Sequence, residues 1–411
     1  MRFFNKVGLI LVLAMAFAAT ALANSAYSVV DPGYTKGKIG TINGAGMVTS
    51  SVIPGTGFLN GAPAIHSFTD ANGQPRVLAY NYLYGSSPNP EAVIYNPTTT
   101  PWTPVKTIPN LAGSDITNLY GVATLGNNLY AVDYETAKIV KINMAGDVYD
   151  VKEIYTFTGT AGYDKHGMAI AAVGDYVYGL FAEVINPWTT ANYLNSKVVR
   201  LNKDTLAPVG NPVEVGKNAF TLKHYNNKLY VASIGGKQKN DGTSNVGESK
   251  LNVVNLANMT VATPFTAGTT IPYDFRDIAI SSTGNAYILV GNYNSSYNMD
   301  GRMYQTTVAA IDSGNIGTLR ETINNVPGYY WAVLYDNAAS RLWLAKGNQI
   351  DLRNGVNYAP VRLNMFANSI LGNADYPNLN SVTVLGQTGT LQGYHDPGMA
   401  GALKARRLQN K

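Results

Sequence analysis

The sequence predicts an all-β fold, a seven-bladed β-propeller of four-stranded antiparallel blades whose ring is closed by N-terminal strands plus one C-terminal inner strand. Three observations carry this. A unit of four short alternating strands recurs six times, about every 47 to 58 residues, which is the length of one blade. Turn residues separate the first and second strands of each copy. The two ends of the chain hold incomplete, complementary pieces of a seventh copy.

The fullest copy runs from Leu119 to Asp133, bent at Gly126-Asn127-Asn128, and continues through Ala137 to Asn143 and Val148 to Phe157. An inner strand followed by an aromatic-rich second strand recurs at Ala64 to Phe68 with Val77 to Tyr80, and at Met168 to Ala172 with Tyr176 to Tyr178. The pattern returns at Phe220 to His224 with Lys228 to Ala232, at Asp277 to Ile280 with Ala286 to Leu289, and at Trp331 to Leu334 with Arg341 to Leu344. Near the N-terminus, Ala26 to Val30, Gly37 to Thr41 and Met47 to Ile53 read as second, third and fourth strands with no first strand before them. Asn380 to Leu385 reads as a first strand with no blade after it. Pairing the two removes the exposed sheet edges that an open ring would leave.

Through the phrase Asn-Asn-Leu-Tyr-Ala-Val-Asp at 127 to 133 and its echo Asn-Lys-Leu-Tyr-Val-Ala-Ser at 227 to 233, the chain resembles the secreted NHL-like and quinoprotein-like seven-bladed propellers. The resemblance spans nearly the whole mature chain at the level of architecture. It implies a binding scaffold, a lactonase or a cofactor-dependent dehydrogenase, and it carries over no functional residue.

Residues 1–23 read as a signal peptide: Arg2 and Lys6, an apolar run from Val7 to Ala19, then Ala21-Leu22-Ala23 before the cut. The expected domains are therefore 1–23 signal peptide, 24–390 β-propeller and 391–411 basic tail, in a protein exported by a bacterial route to periplasm, surface or medium, with no transmembrane segment after cleavage. The chain has 0 Cys, which removes disulfide frameworks, thiolate metal sites and thiol chemistry. Its 28 Tyr against 11 Phe suit strands with half-wet aromatic surfaces. The formal charge of +5 falls largely on the signal peptide and on Lys404, Arg406, Arg407 and Lys411 of the tail. The body is close to neutral, which argues against nucleic acid as a partner. The tail offers an electrostatic contact to an acidic envelope surface.

In a propeller, second-to-third strand connections and inter-blade connections share one face. Long second-to-third connections are expected at Asn81 to Glu91, Glu183 to Ser196, Ile234 to Ser249 and Gly291 to Tyr304, rich in Tyr, Asn, Ser and Gly. With the inter-blade segments they place Tyr163, Lys165, His166, Trp188, Tyr193, Tyr273, Arg276, Asp277, Tyr293, Tyr329, Tyr330 and Trp331 around one end of the channel as candidate ligand-binding residues. His66, His166, His224 and His395 fall in different blades or the tail, so no metal-ligand spacing is present, and no cofactor is expected. Asp70-Ala-Asn-Gly73 fits a first-to-second strand turn better than a calcium loop, and the glycines at 235 and 236 precede no helix that could hold a phosphate. A serine nucleophile elbow, a Walker loop and a dinucleotide fingerprint are absent in usable context.

These readings lead to a non-enzymatic recognition or scaffold protein that binds a glycan, peptide or envelope protein on its loop-bearing face. The alternatives are a propeller enzyme, either a sugar lactonase or a cofactor-dependent dehydrogenase using His166, Arg276 and Asp277, and a structural cell-surface component.

Overall fold

The computed structural model describes residues 25–30, 37–43, 48–49, 63–81, 92–99, 101–108, 119–144, 151–185, 192–236, 239, 241–296, 298–327, 331–347, 349–366, 378–385 and 391–392. The signal segment, the connection at 82–91, the tail beyond 392 and the candidate residues Trp188, Tyr329 and Tyr330 lie outside them.

Seven antiparallel sheets form the ring. Blade one runs from Pro63–Thr69 to Thr103–Ile108, blade two from Leu119–Leu125 to Val151–Thr156, and blade three from Asp164–Val173 to Val213–Lys217. Blade four runs from Ala219–Tyr225 to Thr260–Thr266, blade five from Phe275–Ile280 to Thr318–Pro327, and blade six from Trp331–Asp336 to Pro360–Phe366. The closing blade takes its inner strand, Asn378–Val384, from near the C-terminus and pairs it with Ser25–Val30, followed outward by Gly37–Ile42 and Val48–Thr49. Ser25 stands opposite Val384, and Tyr27 opposite Val382. On the channel side of Asn378–Val384 a two-residue strand, Leu391–Gln392, pairs with Val382 and Ser381.

The recurrent second-strand aromatic explains how the blades adhere. Tyr130, Tyr178, Tyr230, Tyr287 and Trp343 occupy the same place in their strands, and each is buried. An aromatic at this position fills the wedge between blades, and a tyrosine also carries a hydroxyl across it. Tyr130 donates to the Lys203 carbonyl of blade three at 2.8 Å, and Tyr287 to the Gly355 carbonyl of blade six at 2.7 Å. The closing blade is covered on both faces. Tyr27, Ile42 and Val384 pack with Trp343 and Ile350 of blade six, while Ala26, Ile39 and Leu385 pack with Ile65, Val77 and Trp102 of blade one. Each such large apolar side chain stabilises the assembled ring by roughly 1.5–3 kcal/mol.

Two expected loops are partly strand. In blade five Asn285–Tyr293 and Asn298–Thr307 stay paired out to Tyr293 and Met299, so the connection expected at Gly291 to Tyr304 is a long hairpin with a tight turn. Alternation does not stop at the expected end: Tyr293, Met299 and Met303 are buried against Trp331 and Val333 of blade six. In blade three the second strand, Tyr176–Ile185, is likewise prolonged, and Asn192–Tyr193 pairs back onto it.

Between the outer strand of blade five and the second and third strands of blade six lies a buried ionic network. Lys346 Nζ sits 2.5 Å from Asp351 and 3.1 Å from Glu321, while Arg353 reaches Glu321 at 2.7 Å and Asp351 at 3.4 Å. Tyr358 donates to Glu321 at 2.7 Å and lies under the Arg353 guanidinium. Asp351 is 1% exposed, so removing one cation strands a carboxylate away from water. Lys346→Met is expected to lower unfolding stability by about 3–5 kcal/mol in urea titration. Lys203→Met, which removes the exposed pair with Asp175, is expected to leave the midpoint essentially unchanged.

Candidate functional site

Inner strands run from the loop-bearing face to the face of the first-to-second strand turns, and the two ends of the channel differ. Toward the turns, the walls are Ala169 to Val173, Phe220 to Tyr225, Ile278 to Ile280 and Val333 to Tyr335, with Thr124 and His66 from blades two and one. Tyr225 ends its strand, and Ser282 and Asn337 lie in the turns themselves, so the cavity opens on the turn-bearing face. Ala169, Ala171, Ala172 and Ala279 leave room along the walls, and the cavity measures about 460 Å³. That is the size of a small-molecule site.

Toward the opposite end the described residues are engaged within and between blades. His166 stacks on Tyr134 of blade two at 4.1 Å, and its Nδ1 lies 3.1 Å from the Tyr134 carbonyl. Tyr134 in turn packs against Tyr120. Arg276 is 1% exposed, donates from Nε to the Gly291 carbonyl at 2.7 Å and lies over the Tyr293 ring. Trp331 is buried at the start of blade six, and Tyr193 is buried in the prolonged hairpin of blade three.

The connection at 234–249 is fastened to blade five. Asn245 donates from its backbone N–H to Asp274 Oδ1 at 2.8 Å and from its side chain to Oδ2 at 3.0 Å, and the Asp274 N–H donates to Asn292 Oδ1. Gly242 N–H reaches the Tyr293 carbonyl. Gly235, at φ +87°, turns the chain out of its strand where a Cβ would meet Asn245 and the Ser249 nitrogen at under 3 Å. The glycine here serves a turn, as its sequence context indicates.

Of the twelve candidate residues, nine are described. His166, Tyr193, Arg276, Asp277, Tyr293 and Trp331 are buried; Tyr163, Lys165 and Tyr273 are half-buried. Tyr273 lies beneath the Arg302 guanidinium, and Lys165 donates to the Tyr163 carbonyl. Asp277 lies buried behind the channel wall rather than at the rim. Its Oδ1 accepts from the Ile278 N–H at 2.8 Å and its Oδ2 from the Val333 N–H of blade six at 2.9 Å, and Lys223 Nζ of blade four stands 3.9 Å away. Burial pushes the Asp277 carboxyl above the usual carboxylate range, opposed by Lys223 and the two backbone N–H groups. Lys223, His224 and Thr124, which the sequence reading did not single out as a site, are brought together here. The available signal was the small-residue stretch Ala169 to Ala172 and the polar end of the Phe220 to Tyr225 strand.

The channel histidines are held neutral. Complete burial lowers His66 to about 3, with its Nε2 3.2 Å from Thr124 Oγ1, and burial also lowers His166 and His224. Among the described residues no group of three or more His, Cys, Asp or Glu could hold a metal ion, and no helix is long and apolar enough to cross a membrane.

No family model and no curated protein matches the sequence. Among solved structures, the chain is similar to a candidate 6-phosphogluconolactonase of Bacteroides fragilis, with TM-score 0.56 and 13% identity over 84% of this chain and 94% of that one. A second candidate 6-phosphogluconolactonase, from Bacteroides uniformis, gives 0.54 and 12% over 84% and 96%. A functionally unknown protein of Desulfotomaculum acetoxidans gives 0.51 and 9% over 84% and 95%. At these identities the likeness is one of fold.

A histidine that is neutral when folded and free to protonate when unfolded contributes stability above 6.5, lost as pH falls toward about 3. His66→Gln keeps a polar partner for Thr124 and removes the titration. The slope of unfolding free energy against pH below 6.5 is expected to flatten by up to about 1.4 kcal/mol per pH unit, measured by urea unfolding at a series of pH values.

Proposed function

We propose that this is an exported recognition propeller that takes a small polar ligand, such as the end of a glycan or a peptide, into its axial channel from the turn-bearing face. The observation that carries this reading is the 460 Å³ cavity, walled by inner strands of six blades and lined by alanines with a few polar groups. Concave sites with sparse, fixed polar groups in a mostly apolar wall are where small ligands bind. The described candidate residues of the opposite face are largely buried, with contacts within their own blades or to neighbouring ones. Export rests on the signal-like N-terminus, and a basic tail on such a protein would add contact with an acidic envelope surface.

A second reading is a hydrolase acting on a sugar lactone. It is supported by the names of the two Bacteroides neighbours and by a buried carboxyl, Asp277, of raised pKa just behind the channel wall beside Lys223. In that case lactone hydrolysis followed by proton release would be seen with the unmodified protein and lost in Asp277→Asn, provided that the variant melts normally.

The binding reading is tested with mature residues 24–411 and a glycan and peptide panel, read by thermal shift and calorimetry. Ala171→Trp places an indole in the open channel and is expected to abolish ligand binding with little change in melting temperature. A triple alanine variant of Tyr163, Lys165 and Tyr273 is expected to bind as the unmodified protein does. The reverse pattern would move the site to the loop-bearing face.

A further inference from the structure

We infer that the channel ligand is an anion, held through a carboxylate or phosphate group by the Lys223 ammonium; this rests on the channel being the ligand site. Lys223 is the one formally charged side chain among the described residues that line the cavity, and no Asp or Glu is among them. A lysine on an inner strand normally finds a carboxylate at hydrogen-bond distance or extends into solvent. Lys223 does neither: its side chain is 25% exposed, and its nearest carboxylate, Asp277, is 3.9 Å away. That exceeds the 2.7–3.2 Å reach of an N–H···O bond.

Asp277 is also engaged by the backbone. Both oxygens accept backbone N–H groups, from Ile278 and from Val333, and the residue is 3% exposed, behind the wall rather than on it. It offsets the charge of Lys223 at a distance without occupying its donors. Among the described residues the charged contact of Lys223 Nζ is Asp277 at 3.9 Å, and Lys223 lines a cavity that no Asp or Glu among them lines.

A neutral ligand filling this cavity would strip water from the ammonium and return nothing of comparable strength. An oxyanion would replace that water with a charge-assisted bond. Thr124, beside His66, the exposed His224 and the half-buried Tyr225 supply uncharged polar groups along the same wall for the rest of such a ligand. The recognised class is thus a small organic acid, for instance a uronic acid residue or the carboxylate end of a peptide, or a sugar phosphate.

The experiment pairs acids with neutral counterparts on the mature protein by calorimetry: D-glucuronate and D-glucose 6-phosphate against D-glucose, and N-acetyl-alanyl-alanine against its amide. At least one acid is expected to bind about tenfold or more tightly than its neutral counterpart. That preference should disappear in Lys223→Met and persist in Lys223→Arg, both melting as the unmodified protein does. A neutral compound that binds as well as its acid, with Ala171→Trp abolishing both, overturns the anion inference and leaves the channel reading standing. An acid preference that survives in Lys223→Met but not in Ala171→Trp overturns the role of Lys223 alone. Binding that Ala171→Trp leaves intact overturns the channel reading and this inference with it.

Discussion

The structure depends on one strand exchange, the pairing of Ser25–Val30 with Asn378–Val384. A blade has two apolar faces, and no blade can cover both unless it has a neighbour on each side. Six blades in a row would leave two outer faces and the inner edge of an N-terminal sheet exposed. Joining the ends buries Tyr27 and Val384 against blade six and Ala26 and Ile39 against blade one. Because this seam joins residues more than 340 positions apart, ring closure and the final burial of the terminal blades belong to the same step. Without cysteine, no covalent staple supports it, and the work falls on strand pairing and on the aromatic wedges.

Closing seven twisted sheets around an axis leaves a lumen, and the inner strands decide what becomes of it. Toward the loop-bearing face they present large residues: His166 and Trp331 pack against neighbouring blades, and Arg276 is buried against Gly291 and Tyr293 of its own blade. Toward the turns they present Ala169, Ala171, Ala172 and Ala279, too small to meet across the axis. One end is therefore built for stability and the other keeps space. Asp277 shows how the wall between them is held: it lies in blade five, accepts a backbone N–H from blade six and faces a lysine of blade four. Three consecutive blades meet at one carboxylate.

The fold was legible because its signal is repeated. The turn at Gly126-Asn127-Asn128, the second-strand aromatics and the unmatched pieces at the termini each point to the same ring, and an error in one copy is corrected by the other five. Strand ends were less legible. The hairpin through Tyr293 and Met299 continues past a Gly-Asn pair that reads as a loop, since Gly291 and Gly301 face one another where a Cβ on Gly301 would strike the Val290 carbonyl. The candidate site was the hardest to read. Tyr293, Arg276 and Tyr193 are visible in the sequence as aromatic and basic residues near connections, but whether they face a ligand or a neighbouring blade is fixed by packing between segments far apart in the chain. Lys223 gave only the weak signal of a polar strand end, because its character comes from what the described residues of the other five inner strands omit.

That omission follows from the architecture. A side chain directed at a neighbouring blade must complete an apolar interface, so its identity is constrained by volume, and the buried Tyr and Trp at the second-strand position meet that demand in blade after blade. A residue at the axis covers no sheet and is constrained chiefly by the cost of leaving a charge without water or partner. Thr124, Ala171, Ala279 and Val333 satisfy that condition by carrying no charge, and His66 satisfies it by staying neutral within its contact to Thr124. Among the described residues Lys223 is the exception, a quarter exposed and paired with Asp277 at 3.9 Å, beyond hydrogen-bond distance. A fold that repeats itself at every interface is free to differ at its axis, and among the described residues the difference is a single ammonium in an otherwise uncharged recess.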